Sequence, residues 1–538
     1  MMHDTIADIV RYAWQVVLDQ EFVHDQDRFL DKGGDSLSAV RIAVRIHREL
    51  AVDISIETVL TAKTLGGLIA WAEHSTEVDA PPAITARGIA GIHDVSPQLE
   101  RKLHIAQQDH VKKRQIVAVA LELTGCLDIA ALTGAVNAVV DRHTMLSCRF
   151  GMSDDGPFAI YDPDARVRLE VLHLPDLRDA GRLEAAVAEA SVKDFDIWRG
   201  PLGRIQLFVA SPDRAVLLIA VDHIAFDGWS TRIAVRDFAA AYREARSTGT
   251  ALREPMEHTI SDFARWHRQI LDGPRGAALR SFWRNYLAGT DAMYNFSQFR
   301  RFTRSAKNYQ GAWSVAELSA ESSERIRKLA SVIDVTTYSI WASIFLLVAR
   351  SLLETEDVAV HTSTANRATT EMEDMVGYLS HGLILRSVVS GDPSFTSYAQ
   401  ANNLSFLSAY GHQELTSADV AKMLWPDRYI ESPNLSSIYF DVGMPQSEAY
   451  FSEDLIAAPV SLPPSFVDFG LFGFLTDGPD GRAVFRILYN HEFMSADTAR
   501  SVLMWWLNIA RQVARSPDAR LSELLAQAGG VPREIRAC

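Results

Sequence analysis

The stretch Val221-Asp222-His223-Ile224-Ala225-Phe226-Asp227-Gly228-Trp229-Ser230 sets an imidazole, two carboxylates and a glycine close together. An imidazole titrates near neutral pH and accepts a proton from an attacking amine or hydroxyl. Asp227 is suited to fix the loop through an ion pair, and Gly228 leaves room for substrate beside the backbone. A histidine at a strand end is also an ordinary, partly buried structural residue, so this motif alone leaves both readings open. A second group lies upstream, in Asp31-Lys32-Gly33-Gly34-Asp35-Ser36-Leu37. Ser36 precedes an apolar run at helical spacing, so its hydroxyl sits at a helix start. There a phosphate ester meets free N–H groups and the positive end of the helix dipole. Read singly, Ser36 is equally a plain N-cap after a glycine turn.

The elements that must position these groups are legible in outline. Ala215 to Ala220 is an apolar run that reads as a buried strand delivering His223 to an edge. For Ser36, residues 4–19 carry Ile6, Ile9, Val10, Ala13, Val17 and Leu18 at helical spacing, and Leu37, Val40, Val44 and Ile46 continue a second helix to about Leu50. Thr64 caps a last helix through Leu65, Leu68, Ile69 and Trp71. The sum is a helical bundle able to fold alone. Residues 76–92, with Pro81-Pro82 and two glycines, read as a linker. Beyond it, Ile116 to Leu123 reads as a strand and Leu127 to Val140 as a helix.

Asp27-Arg28-Phe29-Leu30-Asp31-Lys32-Gly33-Gly34-Asp35-Ser36-Leu37 resembles the core motif of peptidyl carrier proteins from nonribosomal peptide synthetases. Ser96-Pro97-Gln98-Leu99-Glu100-Arg101, Arg142-His143, Asp222 to Ser230, Asp262-Phe263-Ala264-Arg265-Trp266, Phe282-Trp283 with Leu287-Ala288-Gly289, Ala365-Asn366-Arg367 and His412-Gln413-Glu414 follow in family order. Together they resemble a nonribosomal peptide condensation domain. The fold this implies is multidomain: a small all-α four-helix carrier bundle, then an α/β, two-lobed chloramphenicol acetyltransferase-like domain with a tunnel between its lobes. The expected limits are 1–75 for the carrier, 76–92 for the linker, 93–270 for the N-terminal lobe and 271–538 for the C-terminal lobe.

The resemblance also implies the chemistry. Ser36 would carry 4'-phosphopantetheine, attached by a phosphopantetheinyl transferase, and the arm's thiol would hold an acyl thioester. His223 matches the second histidine of His-His-x-x-x-Asp-Gly and is expected to position or deprotonate the acceptor. Asp227 would hold the loop, with Arg367 as its ion-pair partner, and Gly228 would line the tunnel. The acceptor is an amine, or an alcohol, on another carrier or in solution. No adenylation domain is legible, so an upstream adenylation domain or another synthetase module would load Ser36. An end at Cys538 suits a subunit boundary, a product-releasing step or an excised didomain.

Two positions depart from the family. Asp222 stands where the first histidine is usual, and a carboxylate there would raise the His223 pKa or turn its ring. His381, in Gly377-Tyr378-Leu379-Ser380-His381-Gly382-Leu383, replaces a common asparagine and needs a new partner. Asp222, Asp227 and Ser230 also fit the Asp-x-x-x-x-Asp-x-x-Ser pattern of heterocyclisation domains. Gly-Gly-Asp-Ser leans towards carriers that feed epimerases. A domain that has lost catalysis and only docks carriers is the remaining alternative.

Bulk properties narrow the field. With 538 residues, 48% hydrophobic and 22% charged, the chain is an ordinary globular protein of several domains. A net charge of −15 argues against nucleic acid as a partner. Cys126, Cys148 and Cys538 have neither metal-ligand nor disulfide spacing, so no metal is expected and the two internal thiols read as packing residues. His143 reads as a core or capping histidine. The most apolar helix-length run, Tyr338 to Ala349, is too short to span a bilayer. No signal peptide is legible, and a reducing, cytoplasmic setting without membrane contact is the expectation.

Overall fold

The computed structural model describes residues 5–52, 54–76, 82–88, 91–107, 115–173, 180–290, 310–367, 369–427, 438–443, 449–464, 467, 469–478, 480–492 and 494–531. Part of the linker expected at 76–92, Pro81 included, and Cys538 lie outside them.

The first body is four helices: α1 (Ile6–Leu18), α2 (Ser36–Leu50), α3 (Ile56–Thr61) and α4 (Leu65–Glu73). A capping box from Thr5 to Asp8 starts α1, whose Val10, Ala13, Trp14 and Val17 are buried. Thr64 starts α4, its hydroxyl accepting the Gly67 N–H at 3.1 Å. Trp14 meets Phe29 edge to face at 5.4 Å. The core so formed includes Leu407 from the second body.

The second body runs in chain order through β1 (Ile92–His93), α5 (Pro97–Ala106), β2 (Ile116–Gly125), α6 (Ile129–Arg142), β3 (Cys148–Ser153), β4 (Gly156–Tyr161), β5 (Leu169–His173), α7 (Ala180–Ser191), β6 (Gly203–Ser211), β7 (Arg214–Asp222) and α8 (Gly228–Thr248). Then come α9 (Ile260–Asp272), α10 (Pro274–Tyr286), β8 (Gly311–Leu318), α11 (Ala320–Val332), α12 (Thr337–Leu353), β9 (Asp357–Thr364), α13 (Thr370–Glu373), β10 (His381–Val388), α14 (Phe395–Tyr410) and α15 (Ser417–Leu424). It ends with β11 (Ile438–Gly443), β12 (Ala449–Ser452), β13 (Leu455–Val460), β14 (Leu471–Asp477), β15 (Ala483–Asn490), α16 (Ala496–Arg515) and α17 (Leu521–Gln527).

Two six-stranded sheets organise it, in the orders β12-β13-β2-β7-β6-β5 and β10-β9-β11-β14-β15-β8. The reason β7 reads as one apolar run is that both faces of its sheet are covered. Leu217, Ile219 and Val221 enter a core with α6 and α8. Val216, Leu218 and Ala220 pack on the other side with Leu183 and Val187 of α7. In the second sheet, α12, α14 and α16 cover one face; the Phe345 ring approaches so closely that a Cβ on Gly473 would lie 2.2 Å from it. No single helix among the described residues is long and apolar enough to cross a membrane.

A pair of late strands crosses the expected division at 270 and 271. Strands β12 and β13, far along the chain, complete the first sheet, with Leu455 opposite Gly125 and Val460 opposite Ala120. Their addition covers the edge of β2, which would otherwise present an unpaired ladder. Gly125 adopts φ +125, and a Cβ there would meet the Asp454 carbonyl oxygen at 2.0 Å, so only glycine permits the approach. Arg246 of α8 clamps the hairpin through Asp454 at 3.2 Å.

Candidate active site

Strand β7 delivers His223 one residue past its end. The His223 N–H donates to the Gln115 carbonyl at 2.9 Å, prolonging the pairing of β7 with β2. The ring Nδ1 lies 2.7 Å from the Phe226 carbonyl oxygen. A carbonyl only accepts, so Nδ1 carries the proton and Nε2 keeps its lone pair. The Tyr378 ring stands edge to face with the imidazole, centroids 5.2 Å apart. Withdrawal from water at this junction, and next the charge of Lys102, push the His223 pKa down to about 4. The ring is therefore neutral at neutral pH, and no hydrogen bond occupies Nε2 among the described residues.

Asp222 is buried. One of its carboxylate oxygens accepts the Ile224 N–H at 3.0 Å, and its carbonyl accepts the Ala225 N–H at 2.9 Å. It thereby shapes the tight turn that aims His223.

Asp227 and Arg367 meet across the two halves, with both side chains fully buried. The guanidinium donates to the two carboxylate oxygens at 2.9 Å and 3.1 Å. The same carboxylate accepts from the Ser230 N–H and hydroxyl, and from the Leu379 and Ser380 N–H groups. Burial alone would raise the Asp227 pKa; Arg367 and these donors outweigh it and hold the group below the ordinary range. Every oxygen of Asp227 is occupied, and its capping of α8 with Ser230 accounts for the Asp-x-x-Ser part of the heterocyclisation-like pattern. Gly228 opens α8 and is exposed; a Cβ there would meet nothing within 4 Å.

Sequence reasoning missed several contributors. Gln98 of α5 donates to the Tyr378 and Leu379 carbonyls, both at 3.0 Å, fixing the loop that carries Tyr378. Lys102 on the same helix places its Nζ 4.4 Å from the centre of the Tyr378 ring. Gln98 lies within the quoted Ser96 to Arg101 stretch, and Lys102 is the residue after it. His381 is buried, with Nδ1 3.1 Å from the Gly382 carbonyl and Nε2 without a partner among the described residues. Burial pushes its pKa down to about 4.

Two further expectations meet the structure differently. His143 is a core residue, its Nε2 2.8 Å from Asp237. Cys148 is buried, but Cys126 is exposed. No cluster of metal-ligating side chains occurs among the described residues.

Ser36 is the first residue of α2, and its N-cap is Asp35, not the serine itself. The Asp35 carboxylate accepts the Ser38 N–H at 2.7 Å. Gly34 lies flat on Phe29, where a Cβ would meet the ring at 2.6 Å. A serine as the first residue of a 15-residue helix suits a phosphodiester-linked arm. This helix start faces the second body. The Tyr410 phenol is pushed up by burial first, and then by the charges of Asp441 and Asp35. Along α2, Arg41 donates to Glu373 at 3.0 Å, and Arg48 to Glu371 at 2.8 Å. Arg28 and Lys63 both pair with Asp334. The indole of Trp229, beside Gly228, donates to the Glu373 carbonyl at 3.1 Å. The carrier helix and the start of α8 thus rest on one residue.

A family model described as the condensation domain matches residues 90–527. The chain belongs to the condensation-domain family. A second model, the phosphopantetheine attachment site, matches residues 4–72. The chain is therefore a carrier followed by a condensation domain of the nonribosomal peptide synthetase type, and 4'-phosphopantetheine is its covalent cofactor. Among relatives, it is 27% identical over 529 residues to a probable nonribosomal peptide synthetase of Salinispora arenicola, covering 96% of this chain and 7% of that protein. In fold it is similar to the X-domain from teicoplanin biosynthesis, at TM-score 0.71 and 23% identity, over 82% of this chain and 99% of that one. It is also similar to the first condensation domain of the calcium-dependent antibiotic synthetase, at TM-score 0.68 and 17% identity, over 81% of this chain and 99% of that one.

Proposed function

We propose that this condensation domain is active, and that it transfers the acyl group borne by Ser36 to an acceptor amine or alcohol at His223. The observation that carries this reading is the His223 ring, neutral and pinned at Nδ1, which leaves Nε2 as its acceptor nitrogen. When attached, phosphopantetheine supplies an acyl thioester whose carbonyl carbon is open to attack. His223 Nε2 accepts a hydrogen bond from the acceptor N–H or O–H and aligns its lone pair on that carbon. As attack acidifies the acceptor, the same Nε2 takes its proton, and would return it to the thiolate released when the carbon–sulfur bond of the thioester breaks. A low imidazole pKa suits the alignment role, because a protonated ring has no lone pair to offer. Asp227 and Arg367 act through the loop, holding His223 in place without meeting substrate. Asp222 serves the same turn, so the usual first histidine is replaced by a residue with a structural task. The contacts of Arg41 and Arg48 with α13 support delivery from Ser36 within one chain. A phosphopantetheinyl transferase, a loading module and either an acceptor carrier or a soluble acceptor complete the reaction.

The test is a transfer assay. Ser36 is converted to its phosphopantetheine form and loaded with an acyl donor, candidate acceptors are added, and the carrier is followed by intact-protein mass spectrometry. Loss of the acyl mass with formation of an amide or ester is expected. His223→Ala should slow it by about 100- to 10,000-fold. An equal rate in His223→Ala would reject this assignment and leave a domain that only docks carriers.

A further inference from the structure

Asp441, on β11, has no cationic partner among the described residues. Its Oδ1 accepts the Ser363 N–H at 2.6 Å and the Thr362 hydroxyl at 2.8 Å, and its Oδ2 accepts the Ser363 hydroxyl at 2.8 Å. Burial, the largest influence on its pKa, raises it in spite of these donors. A carboxylate offers about four lone-pair positions, so Oδ2 keeps room for a further donor. Asp441 retains part of its accessible surface, and Ser363 beside it is exposed. The carboxylate therefore borders a recess, neither packed core nor open water.

The direction of the hydrogen bonds decides what fits there. The Thr362 hydroxyl gives its proton to Asp441, so the Tyr338 hydroxyl, 2.7 Å from Thr362 Oγ1, donates to it in turn. The protein's own donors converge on the carboxylate, and what is left is an acceptor. Its place in the fold narrows the ligand. Tyr338 meets Tyr410 edge to face, centroids 6.0 Å apart, and Tyr410 packs on the carrier core beside Leu407. The charges of Asp441 and of Asp35, the residue before Ser36, both act on the Tyr410 phenol. Strand β9 leads on from Thr362 and Ser363 towards Arg367, whose guanidinium holds Asp227. An arm attached to Ser36 and acting at His223 spans the same interval, and phosphopantetheine carries amide N–H groups between its phosphate and its thiol.

We propose that Asp441, set by Ser363 and Thr362, is a positioning residue for the arm, its Oδ2 accepting a hydrogen bond from an amide N–H of phosphopantetheine on Ser36. This rests on the reading that Ser36 delivers into the condensation domain of its own chain. Fixing the arm part-way along leaves the thioester less freedom to lose on reaching His223. A charged acceptor suits the task, because hydrogen bonds to charged groups are the stronger ones. Asparagine would keep the shape; its oxygen would stay with the Ser363 N–H and its NH2 would take the Oδ2 position, where it cannot accept.

The experiment uses the full chain, armed on Ser36 by a phosphopantetheinyl transferase from isotopically labelled coenzyme A. Hydrogen exchange of the arm amides is followed by NMR, with proximity signals from the same protons and the transfer assay run alongside. One arm amide is expected to exchange about tenfold or more slower in wild type than in Asp441→Asn, and to show proximity to the Ser363 side chain. Arm amides that all exchange like those of free pantetheine overturn the proposal. So does equal protection in Asp441→Asn. A protected amide with no proximity to Ser363 overturns it in wild type alone, whether or not the variant folds. If protection is absent while transfer still needs His223 and is independent of chain concentration, the Asp441 site fails and delivery within one chain stands. Absent protection with a transfer rate that rises with chain concentration overturns the delivery reading as well.

Discussion

Replacing Arg367 with methionine removes a cation from a pair whose two side chains are both fully buried. Breaking such a pair from one side costs about 3–5 kcal/mol, because the partner is left charged in a poor solvent. Here Asp227 keeps the N–H groups of Ser230, Leu379 and Ser380 and the Ser230 hydroxyl. The cost should therefore lie near the low end, about 3 kcal/mol. Asp227→Asn with Arg367→Met strands no charge and should recover most of it. The pH dependence has a definite sign. In the wild type the Asp227 pKa is lowered, so its contribution is present above the unfolded value of about 3.9 and lost as pH falls through the folded one. Without Arg367, burial prevails and the folded pKa rises above the ordinary value. Acidification then protonates the stranded carboxylate and relieves the variant. Urea unfolding of wild type and variant at about pH 7.5 and about pH 4.5 tests this, with a smaller difference expected at the lower pH. A difference under about 1 kcal/mol, or one that does not shrink on acidification, would refute the argument. Transfer should fall by about 100-fold, since the loop that aims His223 loses its tie to the other half.

Three more outcomes follow from the geometry. Gly228→Ala adds a Cβ into open space at a helix start; folding stability should hold or rise by about 0.5 kcal/mol in urea titration while transfer slows, if, as proposed, Gly228 lines the path of the substrates. Glu373→Arg sets like charges against Arg41 and Arg45, whose side chains are only partly buried; each pair is worth about 1 kcal/mol or less, so transfer from the attached carrier should slow a few-fold at low salt and recover in the Arg41→Glu, Glu373→Arg swap. Asp222→Ala leaves the Ile224 N–H without its acceptor; thermal unfolding should report a loss of about 1–3 kcal/mol, whereas Asp222→Asn, which keeps an acceptor oxygen, should lose less.

Several elements were legible because a local pattern encodes them. The run from Ala215 to Ala220 reads as a strand since both faces of its sheet are covered, and β7 spans Arg214–Asp222. The expected helix at Leu127 to Val140 is α6, shifted to Ile129–Arg142 because the Asp128 side chain caps it, accepting the Ala131 N–H at 2.9 Å. The start at Thr64 follows from the same cap chemistry, while the cap before Ser36 proved to be Asp35 because its carboxylate takes the Ser38 N–H. Side-chain capping is a contact between residues two or three apart, so sequence carries it directly.

The residue types of the site were likewise written in the chain: His223, Asp227, Gly228, Arg367 and Ser36 all lie in motifs. Their order in space was not. Asp227 touches Arg367, the His223 ring touches Tyr378, and Lys102 lies over that same ring only because α5, β7 and the segment before β10 converge. Strand β13 joins β2 across more than three hundred residues. No periodicity in the chain encodes such pairings, because they depend on which buried surfaces close against one another. Local sequence thus determined which groups are present and which helices and strands carry them. Tertiary packing decided which of these groups meet, because the contacts join segments far apart in the chain.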